Sequence, residues 1–163
     1  MGFFVDKGET NIVSSNKRGG TMQEDNDYDD YDKEIENLPS IVDIKKMVPI
    51  LSKIAQKVYD DWDEEDIDTY GGGGICHLIA EEIASYLNVQ GVDTRTISSN
   101  FEQHVYCLSK LKEGIYSIDI HWSYYEAGGG FSWKKTPNVI FDGSEIEFYL
   151  VDTNHSVWDS EYE

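Results

Sequence analysis

Apolar residues recur along the chain with two different periods. Ile44, Met47, Val48, Leu51, Ile54, Ala55, Val58 and Trp62 are spaced by threes and fours and mark one helical face. Pro49 falls inside that pattern, where it removes a backbone donor and clashes one turn back. This predicts either a kink or a short helix followed by a longer one starting at Pro49. After an acidic loop from Asp60 to Asp68 and the glycines Gly71 to Gly74, a second face gathers Cys76, Ile79, Ala80, Ile83 and Leu87, and Gly91 stops it. From Val92 the pattern alternates, predicting strands over Val92–Ser98, Gln103–Leu108 and Ile115–Trp122, then Asn138–Phe141 and Ile146–Val151. Helices first and strands afterwards define an α+β domain, with the N-terminal helices packed on an antiparallel sheet.

The segment ahead of Leu38 changes this picture. Gln23 to Asn37 carries eight acids against the single Lys33 and offers almost no apolar side chain. Residues 1–37 are expected to form an acidic, mostly disordered arm, 38–152 the folded domain, and 153–163 an acidic, frayed C-terminal tail. The 163 residues hold 32 Asp plus Glu and 13 Lys plus Arg, for a formal net charge of -19. That charge repels phosphates and anionic lipid, so nucleic acid and membrane are not expected partners. No apolar run approaches the roughly 18 residues of a membrane span, and residues 1–20 lack a signal-peptide core. The two cysteines, Cys76 and Cys107, are too few for a disulfide scaffold. A reducing, cytoplasmic location is the expectation.

Cys76 falls in the first turn of its helix, after a glycine-rich loop. The unpaired N–H groups and the helix dipole there favour a thiolate, and glycines let a carbonyl approach. The Cys76 backbone N–H can serve an oxyanion. The alternative is a buried, inert thiol. His104 and Tyr106 share one face of their strand, Val105 and Cys107 the other, which makes Cys107 the packing cysteine, behind the sheet. In the next strand Ser117, Asp119 and His121 share a face. If the polar faces coincide, Asp119 fixes the tautomer of His104, whose other ring nitrogen can take a thiol proton. A metal site built from His104, Asp119, His121 and Glu126 is a weaker alternative, and neither metal nor cofactor is expected. His77, turned about 100° from Cys76 on the helix, is expected at the surface, and His155 carries no signal. The aromatic, glycine-rich run Trp122 to Trp133 suits either a cleft wall or flap, or a loop anchored in the core.

The order and spacing of GGGGICHLIAEEIASYL, GVDTRTISS, QHVYCL and GIYSIDIHW resemble the core of transglutaminase-like proteins within the papain-like cysteine superfamily. The likeness covers roughly residues 71–126. It implies a papain-like core in which Cys76 is the nucleophile, His104 the base and Asp119 the residue that orients it. The implied activity is a cysteine-dependent hydrolase or acyltransferase acting on a protein or peptide amide, as protease, deamidase or transglutaminase, through a thioester. Gly74, Tyr70, Trp62, Trp122 and Tyr125 are candidates for the oxyanion hole and substrate cleft, with Tyr70 or Trp62 as its second donor. The rival reading is a non-catalytic adaptor or inhibitor of the same fold that binds a basic protein through its acidic arm.

Overall fold

The computed structural model describes residues 29–62, 75–99, 104–121, 124–127, 133–135 and 139–162. The chain divides into two units, Met1–Asn37 and Leu38–Glu163. In the first, residues 29–36 are helical, so this part of the expected arm is ordered; residues 1–28 lie outside the described residues.

Among the described residues of the second unit there are four helices and a four-stranded antiparallel sheet. Helix α1, Ile41–Lys45, opens with a capping box: Ser40 accepts from the Asp43 N–H while the Asp43 carboxylate accepts from the Ser40 N–H. Helix α2, Val48–Asp61, carries Pro49 in its first turn, where a missing N–H costs nothing. Of the two forms open to this region, the chain takes a short helix and then a long one. Helix α3, Ile75–Val89, buries Ile75, Cys76, Ile79, Ala80, Ile83, Ala84 and Leu87 along one side. It stops at Gly91, whose φ of 86° lets the Val92 N–H reach back to Leu87 O. Asn88 then fastens the turn to the sheet, giving its amide to Thr94 O and accepting from Thr94 N–H, both at 2.9 Å.

The sheet strands are β1 (Thr94–Ser99), β2 (His104–Leu111), β3 (Gly114–Ile120) and β6 (Ile146–Asp152), in the order β1-β2-β3-β6. Strands β4 (Tyr125–Ala127) and β5 (Trp133–Lys135) pair as a separate two-stranded sheet within the stretch read as a flap or loop. Alternation along β2 and β3 divides the core in two. Cys107, Ile118 and Ile120 pack with α2 and α3, together with Leu51, Ala55, Tyr59 and Trp62. Leu108 and Ile115 turn to the other face and meet Trp158.

Two expectations are corrected. No strand forms over 139–141, because Gln56 of α2 takes the backbone groups that a ladder would use: its amide donates to Val139 O at 3.2 Å and its carbonyl accepts from Phe141 N–H at 2.7 Å. Asn138 lies outside the described residues. The segment after β6 is not a frayed tail, since a 3-10 turn, His155–Val157, leads into α4, Trp158–Glu161. Trp158 is 1% exposed and His155 is buried, its Nε2–H donating to Leu111 O at 2.6 Å. The acidic composition concealed one large apolar anchor.

Candidate active site

Helix α3, β2 and β3 converge on three side chains. Cys76 is the second residue of α3 and belongs to its buried face. His104 is the first residue of β2, opposite Ser99 of β1; the ladder to β3 begins only at Cys107. Its Nε2–H donates to Asp119 Oδ2 at 2.6 Å. The other carboxylate oxygen of Asp119 accepts the Ile120 N–H at 2.8 Å, which fixes the carboxylate in place. The Cys76 side chain is a second hydrogen-bond partner of His104. With Nε2 occupied by Asp119, Nδ1 is the nitrogen left for the sulfur.

This arrangement sets the charge of His104. Burial disfavours the imidazolium, but hydrogen bonds to Asp119 and Cys76, together with their charge, outweigh that and raise His104 to about 10. The side chains of His104 and Asp119 are only 15% and 26% exposed, so water screens the pair weakly.

Cys107 is wholly buried and donates to Ala80 O at 3.1 Å, and burial pushes its thiol up. It lies between sheet and helix, not behind the sheet, because α3 covers the face that carries Cys107 and Ile118. His77 is part-exposed and ion-paired to Glu81 one turn on. His121 faces Glu147 at 3.7 Å. Of the four-residue metal set, His104 and Asp119 hold each other, and the Glu126 side chain is outside the described residues. Among the described residues no group of three or more His, Cys, Asp or Glu is placed to hold a metal ion.

Of the expected cleft residues, Trp62 is described in full. It follows the last turn of α2, packs in the same core cluster as Cys76, and its buried indole N–H has no acceptor among the described residues. Tyr125 lies in β4, described for its backbone alone, while Tyr70, Gly74 and Trp122 lie outside the described residues.

Two further residues were not singled out from sequence. The Tyr106 ring stacks beside the His104 ring, centroids 6.1 Å apart and 21° between planes. Its place two residues along the same strand face was the available signal. Glu145, fully buried, accepts the N–H groups of Asp142 and Gly143 on one oxygen, each at 2.9 Å, and its other oxygen has no partner among the described residues. An Asp-Gly pair followed closely by an acid marked that turn. The chain matches no protein-family model, no curated protein and no solved structure among those compared.

Proposed function

We propose that the protein is a cysteine-dependent hydrolase or acyltransferase that acts on amides through Cys76, His104 and Asp119 on a transglutaminase-like, papain-like core. The observation that supports this best is the double engagement of His104, bound by Asp119 through Nε2 and hydrogen-bonded to the Cys76 side chain. A packing cysteine has no need of an oriented imidazole. In the proposed reaction His104 already holds the proton at Nδ1, and the Cys76 sulfur forms a bond to the substrate carbonyl carbon as the carbonyl π pair moves onto oxygen. The oxyanion takes hydrogen bonds from the Cys76 backbone N–H and the Trp62 indole N–H. Collapse breaks the carbon–nitrogen bond, and the leaving amine takes the proton from His104. Water or a second amine then attacks the thioester, gives its proton to His104, and releases the acyl product and the Cys76 sulfur, with the proton again on His104. Asp119 holds the ring throughout. Peptide cleavage, deamidation and transamidation share these steps. The free thiols accord with a reducing, cytoplasmic setting.

An amide-mimicking electrophile tests the assignment. Cys76→Ala and His104→Ala should each abolish the covalent adduct, and Asp119→Asn should slow it at least tenfold by misorienting the imidazole. An adduct rate unchanged in His104→Ala would sink the catalytic reading, because the helix dipole alone can make a thiol reactive.

The charge of -19, with eight acids between Gln23 and Asn37, favours a second reading, an adaptor that binds a basic protein. It expects slow modification of Cys76, indifferent to His104, and salt-sensitive binding. No helix among the described residues is long and apolar enough to cross a membrane.

A further inference from the structure

The face of the sheet turned away from α2 and α3 carries Arg95 and Ile97 of β1, opposite Leu108 and Tyr106 of β2, with Ile115 of β3. The segment after β6 closes over it. Trp158 sits on Leu108 and Ile115, and its indole N–H donates to Asp93 Oδ2 at 2.9 Å. The Arg95 guanidinium lies 4.2 Å over the Trp158 ring. Its Nη1 donates to the carbonyls of Trp158 and Tyr162 at 2.7 and 2.6 Å, and its Nη2 to Asp159 at 3.2 Å. Arg95 thereby caps the last carbonyls of α4 while packing against its aromatic anchor. Tyr106, Ile97, Val157 and Tyr162 complete this cluster.

Tyr106 is thus shared between two places, packed under the segment on one side and stacked beside His104 on the other. We propose that the 154–162 segment acts as a latch that orients His104 through Tyr106, making Tyr106 a positioning residue of the thiol–imidazole site. This rests on the reading of Cys76 and His104 given above. His104 needs lateral support because it stands at the start of β2, held at the ladder by β1 and not yet by β3. A half-turn of its ring would put ring carbons where Nδ1 and Nε2 stand and break the bonds to Asp119 and Cys76 together. An aromatic plane alongside opposes that turn. Asp119 from β3 and Cys76 from α3 are titratable groups that act on the ring. The latch's influence runs through packing.

The test uses the full chain and two readouts: the pH profile of Cys76 alkylation, and the His104 ring titration followed by NMR. Tyr106→Phe, which keeps the ring, should leave both as in the wild type. Tyr106→Leu and Trp158→Ala should slow alkylation about tenfold at neutral pH and shift the His104 titration toward its ordinary value. Should Trp158→Ala fail to fold, Tyr106→Leu and the milder Arg95→Lys decide. A merely structural role would lower the melting temperature and leave both curves of the folded protein unmoved. A folded Tyr106→Leu variant with wild-type curves would overturn the latch. Alkylation that ignores His104→Ala in an otherwise wild-type chain would instead overturn the proposed chemistry, and the ring titration would still decide whether the latch orients His104.

Discussion

His104 keeps its proton in the folded protein because Asp119 binds the charged ring and Cys76 bonds to it, both against the cost of burial. Its folded value, about 10, lies above the ordinary 6.5, so the native state holds a proton that the unfolded chain has lost between those limits. This contribution to stability is complete below pH 6.5 and lost as pH rises through the folded value. The melting temperature should therefore fall between pH 7 and 10, by several degrees, and His104→Gln should flatten the slope when the two melting curves are compared. A second residue-scale contrast concerns the cysteines. Cys76 meets an imidazole, whereas Cys107 spends its proton on Ala80 O inside the core. Mass spectrometry after brief alkylation at near-neutral pH should find Cys76 modified at least tenfold faster, and equal labelling would remove the case for an activated thiol. That His104 and Asp119 meet was legible from strand alternation, which puts both on one face of neighbouring strands; the contact with Cys76, on the helix that covers the other face, was not. The stacked Tyr106 was not, because alternation names a face without saying what covers it.

At the scale of elements, the hairpin between β2 and β3 depends on one close approach. Gly114 has φ 146°, and a Cβ there would stand 2.4 Å from Asp152 O and 2.9 Å from Leu150 Cδ1. β6 therefore packs against the bare backbone where β3 begins. Gly114→Ala should cost about 2 kcal/mol or more, through both strain and displacement of β6. A thermal melt should show a drop of roughly 5–10 °C for a domain of this size. A drop under 2 °C would mean that β6 can shift without cost. Long elements with strong periodicity were the legible ones: α2, α3 and the first three strands each commit many residues to one face. Elements decided by a single side chain escaped the pattern. Gln56 diverts residues 139–141 from a ladder, and Trp158 anchors a segment whose other residues are mostly polar. Both effects depend on partners more than about 40 residues away, beyond any local window.

At the scale of the whole molecule the acids are spread unevenly. Ten of the 32 acids and four of the 13 bases precede Leu38, so most of the net charge belongs to the second unit. Removing residues 1–37 therefore separates the dense acidic run from the general acidity of the domain. The second unit has its own core, from Ile44 to Trp158, so the trimmed chain should melt within a few degrees of the full one. It should also form the Cys76 adduct at the same rate, since Cys76, His104 and Asp119 all lie beyond residue 37. The adaptor reading makes a different demand on the same protein. Binding to a lysine-rich peptide, measured by titration at low and high salt, should then be salt-sensitive in the full chain and lost on trimming. Adduct formation retained together with binding that survives trimming would place the basic contact on the domain itself and leave the arm without a role in either reading. Loss of the adduct on trimming, with the melt unchanged, would show that residues 1–37 serve the site, and the proposed division of labour between the two units would fall.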